Sequence, residues 1–214
     1  MKMKKIVLMV LCLLTFFYVQ QTAAAEVEIY VRGGTVNLTD GDINEGHKAQ
    51  FVLGVTVGSD SKEKYQGLVS LERFTMTEPE DEDGEIPGAG LGLLFEGCRN
   101  FNFGKWRLYP YVSAGLHYWT REGSEKTIGK WHEFTFLEGK VGLGAEYKFL
   151  YVCGAIRRPL WIDTNQLDPG FGFESEVGVK IKKFRIGAFY DRYGFKDGGN
   201  FNVNFWGGKV SYIF

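Results

Sequence analysis

Cysteine is scarce, at three in 214 residues, and Cys12 lies in the apolar N-terminal run. The other two, Cys98 and Cys153, are too few for the disulfide framework that holds small secreted domains together. They read as two separate small residues near strand ends. Proline is equally rare, at five, while glycine stands at 29 and aromatics at 16%. Few prolines, abundant glycine and alternating aromatics exclude a collagen-like chain and point to an all-β domain. An excess of one charge is also missing. Lys plus Arg number 25 against 26 for Asp plus Glu, so nothing supports nucleic-acid binding. Histidine occurs three times, as His47, His117 and His132, and no acid–base constellation can be argued from them. Beyond the first 25 residues no apolar run is long enough for a transmembrane helix.

The sequence opens on a leader. Lys2, Lys4 and Lys5 precede an apolar run over residues 6–19 that only Thr15 interrupts, and Ala23, Ala24 and Ala25 close it. The pattern predicts a secretory signal peptide over residues 1–25, cleaved before Glu26. The run is shorter than the roughly 20 residues of a spanning helix. Cys12 is not preceded by the small residues a lipoprotein needs. Residues 26–214 then form one domain, more acidic than the whole because the leader removes three lysines and no acids.

From Glu26 onward the residues alternate with a period of two, and no stretch repeats as a helix does. In residues 201–214, Trp206, Gly208, Val210, Tyr212 and Phe214 share one face, opposed to Phe205, Gly207, Lys209, Ser211 and Ile213. The alternation predicts ten strands, over residues 27–38, 48–58, 64–76, 89–98, 106–121, 133–148, 150–162, 171–182, 184–193 and 201–214. Strand seven alternates least, because Arg157 and Arg158 are adjacent. Connections at one end are long (39–47, 77–88, 122–132, 163–170, 194–201). Those at the other are shorter (59–63, 99–105, and tight turns near 149–150 and 182–183). An even strand count with long outer loops and short inner turns is the pattern of bacterial membrane barrels. Without helices, crossing a membrane requires such a closed barrel, since every backbone group must be paired within it.

A soluble barrel alternates too, with its apolar face inward. Two features favour the membrane form. The polar face carries Gly142, Gly144, Gly178, Gly187 and Gly207, which suits a crowded lumen. Aromatics gather at strand ends as two girdles: Trp106, Tyr147, Phe149, Phe184 and Tyr212 on one side, Tyr118, Phe134, Trp161, Phe171 and Tyr190 on the other. The final Val210-x-Tyr212-x-Phe214 resembles the signal by which bacterial outer-membrane barrels are recognised by their assembly machinery. The stretch 109–118 (YPYVSAGLHY), followed by 141–147 (VGLGAEY), looks like the paired strands of the small OmpA/OmpX-type barrel families. That resemblance covers residues 26–214 by pattern, through short motifs. It implies an all-β transmembrane up-and-down barrel in the cell outer membrane of a Gram-negative-type bacterium. Members have eight strands, which stays the alternative to ten.

The predicted lumen holds acids and bases together, notably Glu138, Lys140, Glu146, Arg157, Glu174 and Arg185. In a barrel this narrow, charges fill the interior and pair, because a buried charge left alone costs several kcal/mol. A salt-bridged plug is expected ahead of a narrow porin-like channel. The run 78–85 has six acids in eight residues, ordinarily a solvated loop, with divalent cations or a basic partner as the functional alternative. Residues 40–44 begin like a calcium loop, but Glu45 stands where glycine is required and Phe51 where a bidentate Glu is. No metal or cofactor site is expected. Asp40 and Asp42 beside His47 suggest a rim site like that of outer-membrane proteases, though the strands look too short for one, and a non-enzymatic role is expected. The role expected first is structural, or surface interaction through the extracellular loops. Outer-membrane lipids, lipopolysaccharide and the assembly machinery are the expected partners.

Overall fold

The structure, a computed structural model, describes residues 25–40, 43–60, 62–77, 88–121, 133–163, 168–197 and 199–214. The predicted leader lies outside these, except Ala25, where the first strand begins. Ten long strands follow: β1 (Ala25–Asp40), β2 (Ile43–Ser59), β3 (Tyr65–Thr77), β4 (Gly88–Arg99), β5 (Trp106–Arg121), β6 (Glu133–Tyr147), β7 (Leu150–Ile162), β8 (Gly172–Ile181), β9 (Phe184–Asp197) and β10 (Gly199–Ile213). Each pairs antiparallel with its neighbour in sequence. β10 returns to β1, from Glu28↔Ile213 to Asp40↔Phe201. The ring is closed with ten strands, and the eight-stranded alternative is excluded. Two short pieces sit beside it: Phe101–Phe103 pairs with the foot of β5, and Asp168–Pro169 with the top of β9.

Closure requires tilted, staggered strands. Following register partners round the ring from Gly67, near the foot of β3, leads to Asn37, near the top of β1. One end is tied by tight turns at 104–105, 148–149 and 182–183, with positive φ at Gly104 (61°), Lys148 (54°) and Lys182 (56°). At the other end two expected loops are mostly strand. β1 and β2 still pair at Asp40↔Ile43, and β9 and β10 at Asp197↔Gly199. Asp40, Gly194, Asp197 and Gly199 read as loop by composition, yet cross-strand pairing takes them in. The expected acidic loop over 78–85 lies outside the described residues.

The two faces of the ring settle which way the barrel is turned. Val31, Leu53, Val112, Leu143, Ile156 and Val177 stand outward and exposed. Glu138, Lys140, Arg157 and Asp191 are inside and buried. A soluble barrel has the opposite arrangement. Girdle residues Trp106, Phe149 and Phe184 at the tight-turn end, and Tyr118, Trp161 and Phe171 at the other, are outward and exposed. Phe134 does not belong with them. It is inside, 1% exposed, because it shares the parity of Glu138 and Lys140.

This parity has a direct consequence. Leu143→Arg places a charge on the lipid face near mid-height, and destabilisation by roughly 2–4 kcal/mol is expected. Gly142→Ala, one residue away and inward, drives its new methyl into the Tyr111 ring that lies over Gly142, at about 1–3 kcal/mol from overpacking. Urea titration of protein refolded in lipid vesicles measures both. A freely tolerated Leu143→Arg contradicts a lipid-facing exterior.

Candidate functional site

The lumen is built in three layers, because three kinds of residue occupy the inward positions at successive heights. Nearest the tight turns is a chamber of about 230 Å³. Aromatic side chains roof glycines along its wall: Tyr109 lies over Gly144, Tyr111 over Gly142 and Tyr30 over Gly54. An ion-pair chain runs beside it. Arg107 reaches Glu146 at 2.6 Å, and Arg185 lies 3.8 Å from Glu146 and 3.2 Å from Glu28. Lys209 is 3.7 Å from Glu28 and 3.2 Å from Glu176, and the Tyr151 hydroxyl donates to Glu176 at 2.7 Å. Cys98 and Cys153 both line the chamber as free thiols.

The middle layer is a compact knot of charge. Glu138 is fully buried, and Arg157 grips it in two-pronged fashion through Nε at 2.7 Å and Nη2 at 2.8 Å. Lys140 Nζ is 3.6 Å from Glu138 and 2.7 Å from Glu174, which Arg157 Nη1 approaches at 3.6 Å. His117 Nε2 lies 3.5 Å from Glu138 on the remaining side. Arg32 pairs with Asp191 at 2.5 Å and lies over the Phe189 ring at 3.8 Å. The Tyr30 hydroxyl donates to Glu72. In this low-dielectric interior each of these charges has an ion-pair or hydrogen-bond partner, as its burial demands.

The third layer was not anticipated. Toward the loop end the lumen is filled by Trp119, Phe134, Phe136, Tyr193, Phe195 and Phe205, backed by Val36, Val52 and Val203. Trp119 meets Phe134, Phe136 and Tyr193 edge-on, with centroids 5.4, 5.1 and 5.0 Å away, the geometry aromatic quadrupoles favour. Arg157 joins the layers by lying 3.6 Å over the Tyr193 ring, and His117 by stacking on Phe136 at 4.7 Å. Between the ion pairs and Trp119 lies a cavity of about 20 Å³, room for roughly one water.

The six charged residues singled out from sequence thus divide between two layers. Glu138, Lys140, Arg157 and Glu174 meet in the middle, while Glu146 and Arg185 meet below with Arg107 and Glu28. His117, read as a lone histidine, is buried against Glu138. The aromatic layer carried a signal in parity: Phe134 and Phe136 precede Glu138 on the same face, and Tyr193 and Phe195 follow Asp191. Val210, Tyr212 and Phe214 are all outward. The Tyr212 ring contacts Phe184 and Phe214, and the Phe214 N–H donates to the Val27 carbonyl at 2.9 Å. The rim candidates Asp40, Asp42, His47 and His132 lie outside the described residues or side chains. Among the described residues no cluster of three or more His, Cys, Asp or Glu is placed to hold a metal ion.

A closed antiparallel ring with an apolar exterior, two aromatic girdles and a charged interior defines an outer-membrane β-barrel. No family model and no curated protein matches the chain. Among solved structures it is similar to the outer membrane protease OmpT from Escherichia coli, at 9% identity and a TM-score of 0.52, over 91% of this chain and 98% of that one. It is also similar to Ail, the attachment invasion locus protein of Yersinia pestis, at 14% identity and a TM-score of 0.41, over 89% and 99%. The outer membrane protein OprG from Pseudomonas aeruginosa matches at 14% identity and a TM-score of 0.38, over 91% and 99%. At such identities the likeness is one of fold.

Proposed function

We propose that the protein is a non-enzymatic, closed-lumen barrel of a Gram-negative-type outer membrane, with a structural or surface-interaction role carried by its extracellular loops. The tight-turn end then faces the periplasm, as in other barrels of this architecture. The observation that carries the reading is the buried aromatic layer seated on the buried charged one, with a cavity of about 20 Å³ between them under Trp119. A solute would have to break buried ion pairs and then part an aromatic cluster. That leaves the loops, including the acidic run 78–85, as the part that meets partners, with lipopolysaccharide and its divalent cations nearest to hand. Val210, Tyr212 and Phe214 serve in this reading as the strand end that the assembly machinery receives.

A narrow channel is the second reading. The observation favouring it is the chamber of about 230 Å³, half of a conduit if the aromatic layer moves. Vesicles loaded with small ions and sugars separate the two. With refolded protein inserted, retention equal to that of empty vesicles is expected, and rapid release would replace the closed barrel with the channel.

A further inference from the structure

On the outer wall, near the tight-turn end, the register brings two bare positions side by side. Gly67 of β3 and Gly97 of β4 are partners, and Gly97 also partners Val112 of β5. A Cβ built on Gly97 meets nothing within 4 Å. The next outward pair toward the loop end is Val69 and Phe95, and the next toward the tight turns is Tyr65 and Arg99. The result is a groove of about 880 Å³, walled by Val69, Phe95, Val112 and Val141. One exposed cation, Arg99, lines it, and a second, Lys64, stands beside the lining Tyr65. The Arg99 guanidinium lies 4.6 Å over Phe101 and 5.8 Å over Tyr65, and Lys64 Nζ lies 5.6 Å over the same Tyr65 ring. Among the described residues neither cation has an acidic partner.

We propose that this groove is a binding site for one anionic phospholipid, its acyl chain lying over Gly67 and Gly97 and its phosphate held by Arg99 and Lys64. The inference rests on the membrane reading and adds a specific lipid of the tight-turn leaflet to it. Charge decides the occupant. Anionic headgroups attract basic side chains at the bilayer surface, and an apolar slot with two cations beside it complements an acidic head joined to an apolar tail. A second copy of the barrel fits less well, because a two-fold axis along the membrane normal would set the two pairs of cations against each other.

The test is native mass spectrometry of refolded full-length protein with phosphatidylglycerol or phosphatidylcholine, both carrying palmitoyl and oleoyl chains. One retained phosphatidylglycerol is expected, with phosphatidylcholine lost and tail-less glycerol phosphate unable to compete. Arg99→Gln and Lys64→Gln should each weaken retention about fivefold, the worth of one basic side chain at an anionic surface. Gly97→Leu should abolish it while leaving the barrel folded, since its side chain starts in open space. Heat-modifiable mobility on gels checks that fold. Equal retention of both lipids, or undiminished retention by Gly97→Leu, overturns the site, and a dimer mass in place of lipid assigns the groove to a second copy. Quenching of the outward Trp106 and Trp161 by brominated acyl chains tests the membrane reading separately. Quenching without lipid selectivity overturns only the site, and no quenching overturns both.

Discussion

Glu138→Ala should lower the stability of the refolded barrel by about 3–5 kcal/mol, the cost of removing one partner from a buried ion pair. Glu138 has no exposed surface and Arg157 is 2% exposed. The carboxylate holds the guanidinium through two hydrogen bonds and also faces Lys140 and His117. Its loss leaves Arg157 and Lys140 sharing Glu174 alone, two cations in a site that water hardly reaches. Arg157→Ala should cost as much, with Glu138 the stranded charge. The double variant Glu138→Leu with Arg157→Met should recover most of the loss, because paired charges exchanged for apolar groups of similar volume are often neutral or better. Urea titrations of the four proteins form a double-mutant cycle. Additive losses across the cycle would mean that the two side chains do not act as a pair.

Trp119→Ala should destabilise by a similar amount, about 3–5 kcal/mol for a buried aromatic, and should also make the barrel leak. Trp119 is 5% exposed and touches Phe74, Phe134, Phe136, Tyr193, Phe195 and Phe205. Its removal joins the small space beneath it to the loop end of the lumen. Intermittent conductance in Trp119→Ala, absent from Trp119→Phe, is the expected signature in bilayers. A variant as stable and as tight as the parent would mean that the aromatic layer is not the seal.

Much of this architecture was legible because alternation is a local property. β5 and β7 begin and end where the sequence placed them, and Leu143 against Gly142 separates outside from inside without any structure. Phe134 shows how local reading went astray. An aromatic near a strand end looks like girdle unless its parity is followed down to Glu138. The weak alternation of strand seven has a geometric cause. Arg157 points in, Arg158 points out over Phe171 at 4.9 Å, and the register with β6 shifts between Leu137 and Glu138. Pairing was not legible, because it depends on stagger. Glu28 meets Arg185 from far along the chain, and Glu138 is gripped by Arg157 although Lys140 is nearer in sequence. Gly67 and Gly97 become one groove only through the β3–β4 register.

Single-channel recording on pure wild-type protein in a planar bilayer tests the closed lumen most directly. Ten strands make a barrel far narrower than the 16-stranded porins that hold an aqueous channel, and here ion pairs and an aromatic layer occupy that width in series. A quiet baseline is expected under applied voltage, from protein whose insertion is confirmed by heat-modifiable mobility. A steady, well-resolved conductance from that same protein would contradict the plug and make the chamber the lower half of a working channel.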